Sequence, residues 1–179
     1  MDKQDVTTVI IEWKGPFLLD ELKGREEGNG IYLLTGSKVA PSSRKRNPIA
    51  EDELQYCGIT EQQFCERVKA SHEKVKLIDQ ASLRVWIGCL MYPKEQIRQH
   101  LETAEAAFVS FWDIKMNDKK KRYYPKTSVC IVSRWHKPSG NPYKKFPADI
   151  KFIKLLNDVL WWDTEEWRVG DLHIYKFSD

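Results

Sequence analysis

Hydrophobic positions fall into short runs separated by polar or Gly/Pro-rich stretches, and the spacing within each run predicts its element. TTVIIEW at 7–13 is rich in β-branched residues and predicts a strand. GPFLLDELKGREEGNG then predicts a short helix or turn that closes in a Gly/Asn cluster. IYLLT at 31–35 and LQYCGI at 54–59 predict two strands of an antiparallel hairpin, joined by a polar, prolyl and basic loop. Loops longer than about 12–15 residues are uncommon in compact domains and are often functional or disordered.

TEQQFCERVKASHEK opens with Thr60 and has Gln63 three residues on, the spacing of a capping box, so a helix is expected over 61–72 with Phe64, Val68 and His72 at helical spacing. SLRVWIGCLMY at 82–92 is nearly continuous in apolar character and predicts a central strand covered on both faces. The region 93–113 predicts the clearest helix, with Pro93 at its start and Glu95 in its first turn. Ile97, Leu101, Ala104, Phe108 and Phe111 mark its buried face. TSVCIVSRW at 127–135 predicts a strand, DIKFIKLLNDVLWW at 149–162 an amphipathic helix, and DLHIYKF at 171–177 a closing strand.

A chain of 179 residues can bury one sizeable core and carry extensions. Apolar residues at 41% and charged residues at 31% describe a globular rather than a disordered chain. No stretch approaches the roughly 18 apolar residues of a membrane helix, and MDKQDVTT lacks the apolar core of a signal peptide, so a cytoplasmic protein with no membrane partner is expected. The four cysteines form no C-x-x-C pair and predict buried free thiols. Net charge is only +3, but its distribution is uneven: SSRKRNP, NDKKKRYYPK and KPSGNPYKK are basic, the last two interleaved with tyrosines. Each run could be no more than a solvated face; three together point toward a phosphate-backbone partner.

Glu105 lies four residues after Leu101 and three before Phe108, which puts a carboxylate on or beside the apolar helix face, whereas Glu102 points away. A buried carboxylate needs a positive partner. An arginine would make Glu105 structural; a divalent cation would make it a ligand, and periodicity leaves both open. Arg67 is the nearest candidate cation in the predicted layout. Tyr32 and Tyr56 can be packing residues of the hairpin or hydroxyls that orient water, and an arginine fork matches phosphate oxygens.

Taken in order, GIY at 30–32, YCGIT at 56–60, RVKASH at 67–72 and AEAAFVSFWDIKMN at 104–117 resemble the GIY-YIG nuclease superfamily. Its signature is two tripeptides, an arginine, often a histidine a few positions on, a helix glutamate, and an asparagine beyond that helix. Tyr56-Cys57-Gly58 matches the second tripeptide with cysteine in place of isoleucine. The resemblance covers about residues 30–132 and implies an α+β fold: a small antiparallel three-stranded sheet flanked by helices. Residues 1–29 would form an N-terminal strand and helix extension, and 133–179 a C-terminal extension of helix plus strand.

The family further implies a divalent-metal-dependent endonuclease that hydrolyses phosphodiester bonds of double-stranded DNA with one Mg2+ or Mn2+. Its catalytic set carries over onto Tyr32, Tyr56, Arg67, His72, Glu105 and Asn117. Glu105 would be the only protein carboxylate on the metal, an arrangement that suits Mg2+, which dehydrates reluctantly. Tyr32 would activate water, with help from a cation or His72 because a phenol ordinarily titrates near about 10. Tyr56 would position, Arg67 would hold the scissile phosphate, and Asn117 would brace the site. The long insertion between the tyrosines is similar to that of the restriction-endonuclease branch. Arg44, Lys45 and Arg46 within it, and Lys119, Lys120, Lys121 and Arg122 after the helix, are the expected DNA contacts. A restriction-type enzyme leads this reading, with a repair or mobile-element nuclease as its alternative and a non-catalytic nucleic-acid-binding module as the rival class. A homodimer would cut both strands, a monomer would most simply nick one, and the 149–162 helix offers either a dimer surface or packing for its own domain.

Overall fold

β1 (Thr7–Phe17) alternates as its sequence demands, with Val9, Ile11 and Trp13 buried on one face and Glu12 and Lys14 half-buried on the other. After a 3-10 turn at Leu19–Leu22 come β2 (Gly28–Gly36), β3 (Glu53–Gln63), α1 (Phe64–Arg67), β4 (Arg84–Tyr92), α2 (Arg98–Trp112), β5 (Val129–His136), β6 (Val159–Trp162) and β7 (Trp167–Gly170). The computed structural model describes residues 6–39, 53–114, 116–117, 124–144 and 157–172. Arg44, Lys45, Arg46, Lys119, Lys120, Lys121 and Arg122 lie outside them.

All seven strands form one sheet in the order β3-β2-β4-β1-β5-β6-β7. β1 runs parallel to β5, and every other neighbouring pair is antiparallel. One face packs Val9, Ile11, Trp13, Ile31, Leu33, Val129 and Ile131 against Leu101, Ala104 and Phe108 of α2. The other face packs Tyr32, Leu34, Val85 and Ile87 against Phe17, Leu22, Phe64, Val68, Val75 and Ile78. The aromatic residues join the first layer into a series of ring contacts. Tyr124 stacks on Trp162, which meets Trp167; Phe111 and Trp112 lead on to Phe108, and Trp13 stacks on Trp135 at 5.3 Å. Trp13 Nε1 donates to Ser133 Oγ at 3.1 Å, so this buried indole is satisfied inside the layer.

The small three-stranded sheet flanked by helices is overturned. The sheet is seven-stranded and mixed, with two α-helices among the described residues. The physical reason lies in β1, which hydrogen-bonds β4 on one side and β5 on the other and so carries β5, β6 and β7 into the same sheet. Periodicity identified β1 as a strand but said nothing of its neighbours.

Three helices also differ from expectation. In place of a helix over 61–72, β3 runs to Gln63 and α1 spans four residues, because Thr60 Oγ1 accepts the Gln62 N–H at 3.0 Å and closes a local turn instead of capping a helix. The helix expected at 93–113 begins at Arg98, leaving Glu95 outside it, with Gln96 Nε2 donating to the Leu90 carbonyl at 2.6 Å. The helix expected at 149–162 is contradicted at its end: Val159–Trp162 is strand β6, with Leu160 and Trp162 buried and Trp161 exposed. Its first part lies outside the described residues, as does most of the strand expected at 171–177. The central strand expected at 82–92 is β4, which lies between β2 and β1. Among the described residues no helix is long and apolar enough to cross a membrane. All four cysteines are free thiols; Cys57 is buried and the other three are half-buried.

Candidate active site

The hairpin register brings the two tyrosines together. Tyr32 pairs with Gly58 and Leu34 with Tyr56, so Tyr32 and Tyr56 are diagonal neighbours on one face with ring centroids 6.0 Å apart. Gly58 is required between them: a Cβ there would stand 2.6 Å from Cζ and Oη of Tyr32 and 2.7 Å from Cε1 of Tyr56. Tyr32 is wholly buried and Tyr56 half-buried.

Phe64 and Val68 anchor α1 and the turn after it in the core, which places Arg67 and His72 over the tyrosines. His72 Nε2 lies 3.2 Å from Tyr32 Oη, and its ring stands edge-on to Tyr32 and 5.8 Å from Tyr56. On the other side of the ring, Nδ1 accepts the Lys74 backbone N–H at 3.2 Å. The Arg67 guanidinium is exposed, and its charge is felt at Tyr32, Tyr56 and His72.

α2 packs chiefly along β3, the edge strand, and presents Glu105 with 5% exposure. Its charge acts on Tyr56, opposite in sign to that of Arg67. Glu102 is exposed and paired with Arg98 at 2.8 Å, as its position on the helix predicts. Past Asp113, whose left-handed backbone ends α2, the chain crosses the margin of the sheet: Ile114 packs with the α2 face and Met116 with the tyrosine face. On the way the Met116 N–H donates to the Gln55 carbonyl at 3.0 Å. Asn117 then grips Cys57 twice, Oδ1 accepting its N–H at 2.9 Å and Nδ2 donating to its carbonyl at 2.7 Å. The carboxamide thus satisfies the outward backbone groups of the edge strand between Tyr56 and Gly58, as a neighbouring strand would.

Burial pushes the Tyr32 phenol far above its ordinary range; Tyr56 adds to the rise and Arg67 opposes it. Tyr56 is raised by burial first and then by the Glu105 charge, again against Arg67. Burial, and after it the Arg67 charge, push the His72 imidazole down. At neutral pH the site therefore holds two phenols and a neutral imidazole.

No group of three or more His, Cys, Asp or Glu side chains that could hold a metal occurs among the described residues. A single buried carboxylate is nevertheless the kind of protein oxygen donor Mg2+ takes, because Mg2+ retains most of its water. Glu105 fits one Mg2+ or Mn2+ in that sense.

The structure brings Tyr32, Tyr56, Arg67 and His72 together, places Glu105 within electrostatic reach of Tyr56, and ties Asn117 to the backbone beside Tyr56. Sequence reasoning missed the Lys74 N–H and the Met116 N–H, since a backbone donor leaves no signal in residue type. Comparison with known proteins finds no matching family model, no matching curated protein and no matching solved structure.

Proposed function

We propose that the chain is a divalent-metal-dependent endonuclease that hydrolyses phosphodiester bonds of double-stranded DNA. The observation that carries the reading is the gathering of Tyr32, Tyr56, Arg67 and His72 at one point, with a buried Glu105 whose charge reaches it. Arg67 is exposed above the tyrosines and offers a forked donor to the scissile phosphate, where it would stabilise the negative charge that develops in the transition state. Tyr56 at the mouth orients the phosphate or the attacking water. Tyr32, beneath it, takes the proton of that water as the phenolate. Glu105 would hold the Mg2+ or Mn2+, which when bound supplies positive charge at the phosphate and lowers the pKa of water. The basic runs at 44–46 and 119–122 favour a restriction-type enzyme that reads its own site, with a repair or mobile-element nuclease as the alternative.

One observation favours the rival, a nucleic-acid-binding module without catalysis: Tyr32 is fully buried, and burial holds its proton. A plasmid-cleavage assay with Mg2+, Mn2+ or EDTA separates the two. The nuclease reading expects cutting with metal, none with EDTA, and a loss of at least about a hundredfold in Tyr32→Phe, the scale of general-base catalysis. Retained DNA binding with no cutting under either metal would establish the rival.

A further inference from the structure

We propose that His72 serves Tyr32 as a hydrogen-bond donor, locked in its Nε2–H tautomer by the Lys74 backbone N–H, and that it is a positioning residue rather than the base that removes the tyrosine proton. Its catalytic consequence rests on the nuclease reading; its structural content does not.

A backbone N–H can only donate, so the Nδ1 that receives the Lys74 N–H at 3.2 Å must present its lone pair. A neutral imidazole carries a single N–H, which is therefore on Nε2. Nε2 lies 3.2 Å from Tyr32 Oη, so the imidazole donates and the phenol oxygen accepts. The Arg67 charge acts on the same phenol, and a guanidinium has no lone pair to offer it. The hydroxyl hydrogen of Tyr32 is thereby turned away from His72, toward the side where Tyr56 stands.

The Tyr32 proton passes to solvent by way of a water on the Tyr56 side, and the phenolate oxygen that remains is held by the Nε2–H of His72 and faces the Arg67 charge. During hydrolysis the water oxygen bonds to phosphorus as the bond to the leaving oxygen breaks. The water proton passes to the Tyr32 phenolate and re-forms the phenol, and the leaving oxygen takes a proton from solvent. His72 neither gains nor loses a proton. A relay in which His72 deprotonates Tyr32 would need the opposite tautomer, with Lys74 N–H facing another N–H.

Long-range 1H–15N NMR on the full chain, free of DNA and metal, reads the tautomer directly and does not depend on activity. The expected result is a protonated Nε2 and an unprotonated Nδ1 for neutral His72. Lys74→Pro, at a φ of −77° that proline accepts, removes the locking N–H and should shift the signal toward a tautomer mixture. In cleavage, His72→Gln keeps an N–H donor but cannot act as a base, so it should stay within about tenfold of wild type, while His72→Ala falls by about a hundredfold, the scale of losing a hydrogen bond to a charged group. A protonated Nδ1 overturns the proposal, and so does a His72→Gln variant as inactive as His72→Ala.

Discussion

Gly58 and Asn117 hold the tyrosines in place from within and beside β3. One leaves room that any side chain would fill, and the other satisfies the backbone of the residue between Tyr56 and Gly58. Asn117→Ala should orphan two buried groups and cost about 2 kcal/mol in denaturant unfolding, with cleavage falling at the same time. Stability should also carry the signatures of the two shifted side chains. Tyr32 has its folded pKa raised above the ordinary 10.0, so its contribution is present below that pH and lost above it, as the unfolded chain ionises first. His72 has its folded pKa lowered from 6.5, so its contribution is present above that pH and lost as the pH falls, when the unfolded chain takes the proton first. Melting temperatures of Tyr32→Phe and His72→Gln against wild type across pH check each sign; matching curves at both extremes would contradict the buried environments. At this scale the candidate residues were legible as residue types in order, because a phenol, a guanidinium and a carboxylate declare their chemistry. The lock on His72 was not, because the chain writes no symbol for a backbone hydrogen bond.

Elements were legible where one local period governs them. The 31–35 and 54–59 hairpin, the 82–92 central strand and most of the long helix follow from alternation or helical spacing, and the register of β2 on β3 then fixes the tyrosine pair. Reading failed where local and tertiary demands diverge. Thr60 and Gln63 carry the letters of a helix cap, yet Thr60 turns back on Gln62 and the strand continues. VLWW reads as the end of an apolar helix, yet it pairs with β5 and alternates in burial. Strand preference reports the surface a segment packs on, and that surface is built by distant residues. The position of β1 between β4 and β5 makes its inward side chains central to stability. Trp13, stacked on Trp135 and tilted against Phe108, should cost about 3–5 kcal/mol on replacement by alanine. Chemical denaturation checks this; a loss below 1 kcal/mol, roughly the cost of a surface change, would contradict the packing.

For the whole molecule, a chain of net charge +3 gains its case for DNA from where the basic residues cluster and from the site they accompany. Binding to duplex DNA without metal should weaken with salt, with log K against log[salt] falling by about 0.9 per phosphate neutralised. Replacing Lys119, Lys120, Lys121 and Arg122 by glutamine should lower both affinity and slope; an unchanged slope removes that run from the interface. The fold-level expectation erred for a reason of the same scale: the residues outside 30–132 contribute strands to one sheet rather than appendages, and no local pattern encodes which strand lies beside which. The nuclease proposal requires of Glu105 a role in chemistry rather than in packing alone. The direct measurement is the single-turnover cleavage rate of duplex DNA at saturating Mg2+ for wild type and Glu105→Ala, with folding of both verified by circular dichroism. Mg2+-dependent cutting by wild type and none by a folded Glu105→Ala is the expected result; cutting that survives the substitution would overturn the nuclease proposal.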